Sequence, residues 1–427
     1  MLQKNDDLRF DLFHHKRKNM NENMKKQTIE KIEKKHCTGC GLCAARCPVG
    51  CILMKEDAEG FRFPQVDHLK CIVCGLCLRL CPATDASAKL YHKTERRYGC
   101  GIIKNKEMLL KSSSGGIFGA LAKHIIGLGG YICGCVYSDE LEAIHILDNK
   151  KTEIEKMHGS KYVQSRVEQC FPAIEEHLDA NDIVMFSGTA CQIAALRLYL
   201  KRDYDNLYCV EILCHGVPSP GLFKQYKLYL EKKLKGKITD IRFRDKTKNG
   251  WRCEHSMCVL YKKSEKTYEY RPVMPAYFSS FFYGLSLRES CYECKYATIE
   301  RVSDLTIGDF WGAWKKYGKY FHDGISVIGI NNKKGQELVD FIDGDFDFYE
   351  ILSESEAISS NANFYHPGKR PIERSDFYAD VLKHGYRGLW KRVYFSKSCR
   401  RNTLVSLYGA FIPAKIRFFI RRKLKKS

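Results

Sequence analysis

Two stretches in the N-terminal part of this 427-residue chain repeat one cysteine spacing, C-x2-C-x2-C-x3-C-P. The repeated cysteines are Cys37, Cys40, Cys43, Cys47, Cys71, Cys74, Cys77 and Cys81. Three thiolates on one tight loop can hold three corners of an iron–sulfur cubane, and the fourth thiolate, before proline, reaches across to another cubane. The spacing therefore predicts two 4Fe-4S clusters, which carry electrons one at a time.

The crossed arrangement gives each cluster three cysteines of one repeat and one of the other. The first set is Cys37, Cys40, Cys43 and Cys81, and the second is Cys71, Cys74, Cys77 and Cys47. A pair of zinc knuckles or a disulfide framework is the alternative. Zinc sites usually combine two CxxC pairs and often use histidine. Here the whole string repeats, with Gly-Leu before the third cysteine in each copy, which favours clusters.

Thirteen more cysteines lie outside the repeated string. Those in polar or glycine-flanked settings are Cys191, Cys214, Cys291 and Cys294. Four thiolates from three loops would suit a third 4Fe-4S cluster. Zinc with the same ligands, or a redox pair at Cys291 and Cys294, is the competing interpretation. Cysteines in apolar, strand-like stretches, for which simple burial is favoured, are Cys133, Cys135, Cys209, Cys253 and Cys258.

Two segments of small residues stand where backbone N–H groups can approach an anion. Residues 112–116 open a predicted helix over 115–128, and residues 187–191 form a predicted loop between a strand over 182–186 and a helix over 192–200. Helix N-termini favour bound anions. An ordinary capped helix is the alternative for the first segment. The second segment is the stronger signal, because strand, loop and helix follow in the expected order.

These residues need a scaffold, and from about residue 93 helix and strand signals alternate, which predicts an α/β domain with a mixed or parallel sheet. Predicted strands cover 130–136, 182–186 and 207–213, and the last two carry their special residues at the carboxyl end. Ligands bind at that end in open α/β sheets. We therefore expect the segment over 187–191, with Cys191, and the residues after the next strand, with Cys214, to lie at the ligand-binding end of the sheet.

Composition limits the compartment and the partners. The chain is 44% hydrophobic and 28% charged, as globular proteins are. It shows no charged start followed by an apolar run, and its many cysteines suit a reducing compartment, so we expect a cytoplasmic protein. Although the net charge is +21, no interleaved aromatic and basic surface accompanies it, so nucleic-acid binding is not expected.

Much of the positive charge lies at the C-terminal end, where residues 391–427 hold twelve Lys or Arg and no Asp or Glu. The apolar residues that would share a helical face over 413–426 are Ile416, Phe419, Ile420 and Leu424. This pattern predicts an amphipathic helix on anionic lipid at the inner face of the membrane. A helix packed on its own domain, or one that meets an acidic redox partner, is the alternative. The uncharged run over 402–414 is too short to span a bilayer.

Several ordered segments resemble those of the family of coenzyme F(420) hydrogenase/dehydrogenase beta subunits, preceded by a two-cluster ferredoxin. The segments are 113–118 (SSGGIF), 159–165 (GSKYVQS), 186–192 (FSGTACQ), 214–219 (CHGVPS), 243–246 (FRDK), 291–297 (CYECKYA) and 303–312 (SDLTIGDFWG). The resemblance covers about residues 31–375 and excludes the basic tail. One departure is Ala190, where the family usually has proline.

The resemblance implies an FAD-binding domain with its own 4Fe-4S cluster, in which the flavin exchanges hydride with an organic acceptor. Its motifs imply flavin contacts from Ser113, Ser114, Gly115, Gly116, Ser160, Lys161, Tyr162, Gln164, Ser187, Gly188, Thr189 and Gln192. We predict catalytic roles, toward the reduced flavin or an acidic substrate, for Lys161, His215 and Arg244. An ordinary surface or core role is the alternative for each. A flavin suits this chain because it joins one-electron to two-electron chemistry.

We therefore expect a polar lead-in over 1–30, an α+β ferredoxin-type module over 31–92, an α/β FAD-binding domain over 93–375 and a basic tail over 376–427. The expected function is an oxidoreductase that takes electrons from a donor such as ferredoxin or a redox subunit. It would pass them through FAD to a deazaflavin coenzyme or to a glycan precursor. The glycan precursor is considered because ferredoxin-fused members of the family are often associated with bacterial polysaccharide gene clusters. A non-catalytic electron-transfer subunit, or an iron–sulfur scaffold or sensor without flavin, is the alternative.

Overall fold

A computed structural model describes residues 27–395, except 249, 252–256, 273–274, 312, 314–315, 319–322 and 360. Most of the expected lead-in, Cys253 and the predicted lipid-facing helix over 413–426 lie outside the described residues. None of the described helices is both long enough and apolar enough to cross a bilayer.

The cysteine module consists of two short helices and a hairpin. Helices α1 (Leu42–Ala45) and α2 (Leu76–Arg79) each begin after a glycine with positive φ, Gly41 at 74° and Gly75 at 67°. Glycine tolerates this left-handed conformation, so each cysteine loop can turn sharply into its helix. Strands β1 (Ile52–Glu56) and β2 (Arg62–Val66) pair antiparallel between the two loops. The sequence repeat is thus a structural repeat.

The larger domain follows with alternating helices and strands. Its strands are β3 (Arg97–Ile103), β4 (Tyr131–Tyr137), β5 (Ala143–Asp148), β6 (Val184–Gly188), β7 (Leu207–Ile212), β8 (Lys237–Phe243), β9 (Met257–Lys263), β10 (Lys266–Tyr270), β11 (Leu305–Asp309), β12 (Ser326–Ile330) and β13 (Phe346–Leu352). Its helices are α3 (Lys106–Lys111), α4 (Ile117–Gly127), α5 (Lys151–Met157), α6 (Phe171–Asp179), α7 (Ala190–Leu200), α8 (Pro220–Leu234), α9 (Ala276–Phe282), α10 (Glu289–Tyr292), α11 (Lys333–Phe341), α12 (Glu354–Ile358) and α13 (Arg374–Phe395).

The main sheet has eight strands in the order β13-β3-β12-β11-β7-β6-β4-β5. Strands β4, β6, β7 and β11 form its parallel centre, and the outer strands pair antiparallel. Helices α4 and α11 cover one face with apolar side chains, and α6 and α7 cover the other. The predicted α/β class is confirmed, and the sheet is mixed.

The boundaries around residue 190 differ from the prediction. Strand β6 continues through Ser187 and Gly188, and α7 begins at Ala190. The helix starts early because Thr189 and Gln192 form a capping box, in which the Thr189 amide donates to Gln192 Oε1 at 3.0 Å. The predicted five-residue loop was wrong. Only Thr189 separates strand from helix, and Cys191 lies in the first helical turn.

A smaller lobe holds the three-stranded sheet β10-β9-β8, with α8, α9 and α13 packed around a largely aromatic core. Helix α13 is broken at Gly385, whose φ of 60° and ψ of −162° are not helical. This lobe contacts the cysteine module, since Phe61 belongs to the same core.

Close backbone packing fixes the hairpin of the module against α8. The Gly221 amide donates to Gly60 O at 3.2 Å, and a Cβ on Gly60 would lie 2.5 Å from Gly221 Cα. Beside this contact, the buried Arg374 forms a two-bond pair with Glu59, at 3.0 and 2.6 Å. Such a paired, hydrogen-bonded arginine is a strong orienting contact. The module is therefore held in one position on the larger domain.

Candidate functional site

The first cysteine group brings both repeats together at Cys43. Burial raises the pKa of the Cys43 thiol well above its ordinary value, and neighbouring Cys40, Cys37 and Cys81 raise it further. Burial also raises the pKa of Cys81 to about 12, and Cys40 and Cys37 act in the same direction. The last cysteine of the second repeat thus lies among the first three of the first repeat.

The second group contains the other four repeat cysteines and a fifth thiol. Burial raises the pKa of Cys77, and Cys71 and Cys74 add to the rise. Cys51 Sγ lies 3.4 Å from Cys47 Sγ, and the pKa of Cys51 is raised to about 12 by burial and by Cys47 and Cys71. Sequence reasoning missed Cys51, because it lies outside the repeated string. Cys74 is exposed, so this group reaches the surface.

The third group joins cysteines from three elements: the start of α7, the loop after β7, and α10 with the loop that follows it. Burial raises the pKa of Cys214 well above its ordinary value, and Cys291, Cys191 and Cys294 raise it further. Burial raises the pKa of Cys191 as well, and both Cys294 and Cys40 of the first group contribute. The four separated cysteines therefore lie together and adjoin the first group.

The donor sets fit iron–sulfur clusters. Within the described ranges, no three His, Cys, Asp or Glu side chains converge closely enough to bind a single metal ion. A cubane distributes its four cysteines over four iron atoms, so they need not converge on one point. Buried thiols that repel one another resist ionisation, whereas bound iron holds a coordinating thiol as thiolate.

Four of the sequence segments converge at Tyr162. The Ser160 amide donates to Ser113 Oγ at 2.8 Å, which joins the segment before α4 to the segment after α5. Burial raises the pKa of the Tyr162 phenol to about 12, against the effect of side-chain hydrogen bonds with Ser160 and Arg244. Arg244 Nη2 in turn lies 3.2 Å from Asp309 Oδ2. Together these side chains form a polar cluster beside the carboxyl end of β11.

Aromatic rings flank this cluster. The Arg244 guanidinium lies 5.1 Å from the ring centroids of Trp251 and Trp311, and Trp251 Nε1 donates to Asp309 at 3.2 Å. Arg244 also has a positive φ of 57°, which is uncommon for a residue with a side chain. Its side chain is buried, so the cation is held in one place.

Two lysines add positive charge nearby. Lys246 Nζ donates to Ser114 O at 2.8 Å and to Asp323 O at 2.7 Å, and burial lowers its pKa to about 7, although Asp309 opposes this. Lys161 Nζ donates to the carbonyls of residues 156 and 158, and burial lowers its pKa to about 8. Lys246 thus lies beside the segment that precedes the N-terminus of α4, where an anionic ligand is favoured, whereas the half-buried Lys161 donates to carbonyls at the C-terminal end of α5.

Some hydrogen-bonding groups of the segment before α4 already have partners elsewhere in the protein. Ser114 Oγ donates to Ile325 O at 2.9 Å, and the Gly115 amide donates to Ser326 Oγ at 2.9 Å. A Cβ on Gly115 would lie 2.3 Å from the Gly101 carbonyl oxygen, so only glycine fits there. Gly116 caps α4 with a φ of 89°. These residues therefore position the polar cluster around Tyr162 chiefly through the close packing of their backbone.

The residues around 190 link the third cysteine group to this cluster. Thr189 Oγ1 lies 3.2 Å from Cys191 Sγ, and Gln192 Nε2 donates to Ser165 Oγ at 2.9 Å. Burial raises the pKa of Cys135, whereas Lys161 and a hydrogen bond with Ser165 lower it. A series of side-chain contacts therefore leads from Cys191 through the capping box toward Lys161. Ser187 and Gly188 end the strand that leads into it.

Two predicted residues lie elsewhere. Gln164 faces the cysteine module, because its Nε2 donates to Thr38 O at 2.8 Å and its Oε1 accepts from Arg288 at 3.1 Å. The His215 ring packs on Phe281 at 5.4 Å and lies 3.4 Å from Asn363 Nδ2, and burial lowers its pKa. Neither position was evident from the segments, since both contacts join distant parts of the chain.

Sequence reasoning did not single out Lys246, Asp309 or Arg288. Lys246 and Asp309 lie inside the FRDK and SDLTIGDFWG segments, and this position in the sequence could have identified them. Arg288 stands three residues before Cys291. A cation so close to a predicted cluster ligand was a signal as well.

The low pKa of Lys246 predicts a pH effect on stability. Unfolded lysine titrates near pH ~10.4, and the folded side chain near 7. Between these values the unfolded state binds more protons, so this side chain makes the fold more stable as pH rises. The free energy of unfolding of the metal-free chain is measured by denaturant titration for wild type and for Lys246→Met. The difference between the two should therefore change in favour of wild type from about pH 7 to about pH 10. The exposed Lys123→Met should show no such shift, and parallel profiles for wild type and Lys246→Met would contradict the account.

Comparisons with known proteins identify two parts of the chain. Residues 182–348 match the family model for the C-terminal part of the coenzyme F(420) hydrogenase/dehydrogenase beta subunit, and residues 36–85 match a 4Fe-4S dicluster domain. The chain is 25% identical over 248 residues to the F subunit of F(420)H(2) dehydrogenase from Methanosarcina mazei, a match that covers 53% of this chain and 68% of the relative.

A chain of the F(420)-reducing NiFe hydrogenase complex from Methanosarcina barkeri, solved with xenon, matches with a TM-score of 0.40 and 16% identity over 72% of this chain and 94% of that one. The two domain matches thus identify residues 182–348 as a domain like the C-terminal part of coenzyme F(420) hydrogenase/dehydrogenase beta subunits, and residues 36–85 as a 4Fe-4S dicluster module.

Proposed function

We propose that this chain is an iron–sulfur flavoprotein oxidoreductase that passes electrons from the dicluster module, through a third 4Fe-4S cluster, to FAD and a small organic acceptor. The observation that carries the proposal is the series of adjoining cysteine groups. Cys77 of the second group raises the pKa of Cys43 in the first, and Cys40 of the first raises that of Cys191 in the third. Burial is the largest cause in both cases. Adjoining groups of this kind support a continuous route for electrons.

The third cysteine group, at the end of this series, is linked by hydrogen bonds to the segment that also holds Ser160 and Tyr162. The capping box at Thr189 and the Gln192–Ser165 hydrogen bond connect Cys191 to Ser165, which follows Tyr162 by three residues in the chain. Arg244, Lys161 and Lys246 would hold anionic groups of a bound flavin, because each is at least partly buried and positively charged when protonated. When bound, FAD supplies the conversion between single electrons and hydride.

The residues of this chain would do the positioning. The Arg244 guanidinium is fixed by Asp309 and two tryptophan rings, so its charge needs no reorganisation when negative charge develops nearby. The Ser113–Ser160 hydrogen bond fixes the two segments relative to each other. We propose that His215, which follows Cys214 directly, acts beside the third cluster rather than at the acceptor.

For the acceptor we propose a deazaflavin coenzyme, because the name of the curated relative specifies F(420)H(2). A glycan precursor is the second acceptor to test. We also propose a cytoplasmic location and an electron donor such as ferredoxin or a redox subunit. That relative is itself named as a subunit, which favours a second candidate function in which this chain relays electrons to a partner enzyme.

Turnover by the isolated chain separates the two functions. The full chain, reconstituted anaerobically with iron, sulfide and FAD, is reduced with dithionite or reduced ferredoxin and offered F(420). We expect F(420) to be reduced without any added partner, and the loss of its absorbance measures this reduction. The same preparation without FAD is the control. Bound flavin that is reduced by the clusters but transfers nothing to F(420) or to a sugar nucleotide would support the relay function, and a chain that binds no FAD would overturn both.

A further inference from the structure

Arg288 is a buried cation that reaches from the larger domain into the cysteine module. It is 1% exposed. Its Nε donates to Cys37 O at 2.6 Å, Nη1 donates to Gln164 Oε1 at 3.1 Å, and Nη2 donates to Arg62 O at 3.1 Å. These acceptors are neutral, and among the residues that the structure describes no carboxylate pairs with Arg288. The guanidinium is thus hydrogen-bonded but not neutralised.

A buried charge without an opposite charge is costly. The rings of Phe61 and Phe63, at 5.4 and 4.1 Å from the guanidinium carbon, compensate part of that cost. Arg288 also contacts Cys37, whose Sγ lies 3.6 Å from Nη2. Cys37 belongs to the first cysteine group, and a cluster held by four thiolates is anionic. The bound cluster would therefore supply the missing counter-charge.

In the part of the chain that the structure describes, no buried arginine hydrogen-bonds to the second cysteine group. The exposed Arg79 does contact this group, because its Nη1 donates to Cys74 O at 2.8 Å. Arg79 is exposed, so water and salt screen its charge, whereas Arg288 acts through a water-free interior. The clusters bound by the two cysteine groups would thus lie in different electrostatic fields.

Arg288 also stands at the junction with the third group. It caps α10, and the Cys291 amide donates to the Arg288 carbonyl at 2.9 Å. A Cβ on Gly39 would lie 2.8 Å from Arg288 Nη1, so the module leaves room for the guanidinium only because residue 39 is glycine. One residue therefore contacts both cysteine groups between which electrons would pass.

We propose that Arg288 raises the reduction potential of the cluster held by Cys37, Cys40, Cys43 and Cys81 above that of the other module cluster, and so directs electrons toward the larger domain. Net charge and hydrogen bonds to the sulfurs set cluster potentials, and a cation favours the reduced form, which carries one more negative charge. The step that it biases moves a single electron from the cluster of the second cysteine group to that of the first group, which oxidises the second-group cluster and reduces the first-group cluster without making or breaking a bond. The proposal rests on the cluster-binding part of the proposed function and needs neither FAD nor the third cluster.

A redox titration of the full, cluster-loaded chain, followed by electron paramagnetic resonance, tests this role. Arg288→Gln should make the higher-potential module cluster about tenfold harder to reduce, which corresponds to about 59 mV for a one-electron couple. The other module potential should not move. Arg288→Lys keeps the charge and should recover most of the change. The matched control is Arg374→Gln, which removes another buried arginine of the same interface, one paired with Glu59, and should leave both potentials as in wild type.

Unchanged potentials in Arg288→Gln, with iron content equal to wild type, would overturn the proposal. An equal fall in Arg288→Lys would also do so, because it would assign the effect to shape rather than charge. If Arg288→Gln does not retain iron, Gln164→Glu decides instead. This nearly isosteric change places a carboxylate on Nη1, so it should lower the same potential, and no change would overturn the charge account. Iron content below that of two clusters in wild type would instead refute the cluster part of the proposed function.

Discussion

Replacing Cys291 and Cys294 together with serine should remove roughly a third of the bound iron, if each of three cysteine groups holds one 4Fe-4S cluster. Thiolate is the iron ligand, and serine does not replace it well. The third group would keep only Cys191 and Cys214, whereas the module groups would keep all their ligands. Electron transfer from dithionite-reduced module clusters to the acceptor should therefore be abolished. Iron analysis, paramagnetic resonance and the F(420) assay measure these effects.

Cys258→Ala is the matched control for this change. Cys258 is buried in β9, in the three-stranded sheet, and it contacts none of the three cysteine groups. Iron content and turnover should match wild type. Full iron content in the double serine variant would contradict the third cluster, and full turnover in an iron-depleted variant would contradict its place on the route.

Replacing Gly221 with valine should slow electron transfer from the module to the larger domain by roughly a hundredfold, the scale of loss for a displacement of about 1 Å in a positioned reaction. A Cβ at this position would lie 2.7 Å from Gly60 Cα, and neither backbone can move without shifting the hairpin. The shift would also strain the Glu59–Arg374 pair. Because no cysteine loop is touched, iron content should stay the same.

Gly127→Val is the control for this prediction, since a Cβ on Gly127 meets nothing within 4 Å. Stopped-flow absorbance after mixing with dithionite follows the module clusters and the flavin separately. We expect the clusters of Gly221→Val to be reduced at the wild-type rate and the flavin to lag. Equal flavin reduction in both variants would show that the observed docking of the module is not needed for transfer.

Local spacing explains what the sequence made predictable. The cysteine strings bind their clusters through residues a few positions apart, and the left-handed Gly41 and Gly75 let each loop turn into its helix. Strands and helices of the α/β domain also follow from local patterns. The boundary at Thr189 was missed because a side-chain capping box, rather than apolar periodicity, decides where α7 begins.

Contacts between distant segments were not predictable from one sequence. Gln164 belongs to a segment with Ser160 and Tyr162, yet its side chain serves the module, because the chain passes between the two sites there. Arg288 and the fifth thiol, Cys51, became evident only when the fold placed them beside cysteine groups. The convergence of the four third-group cysteines was a hypothesis that required the fold to bring three elements together.

Iron and flavin content per chain tests the central claim most directly. The full chain is reconstituted anaerobically, freed of unbound iron and FAD, and denatured for analysis. About twelve iron atoms and one FAD per chain are the expected result, since three 4Fe-4S clusters and one flavin make up the proposed route. About eight iron atoms and no FAD would contradict it, because the route would then end at the dicluster module.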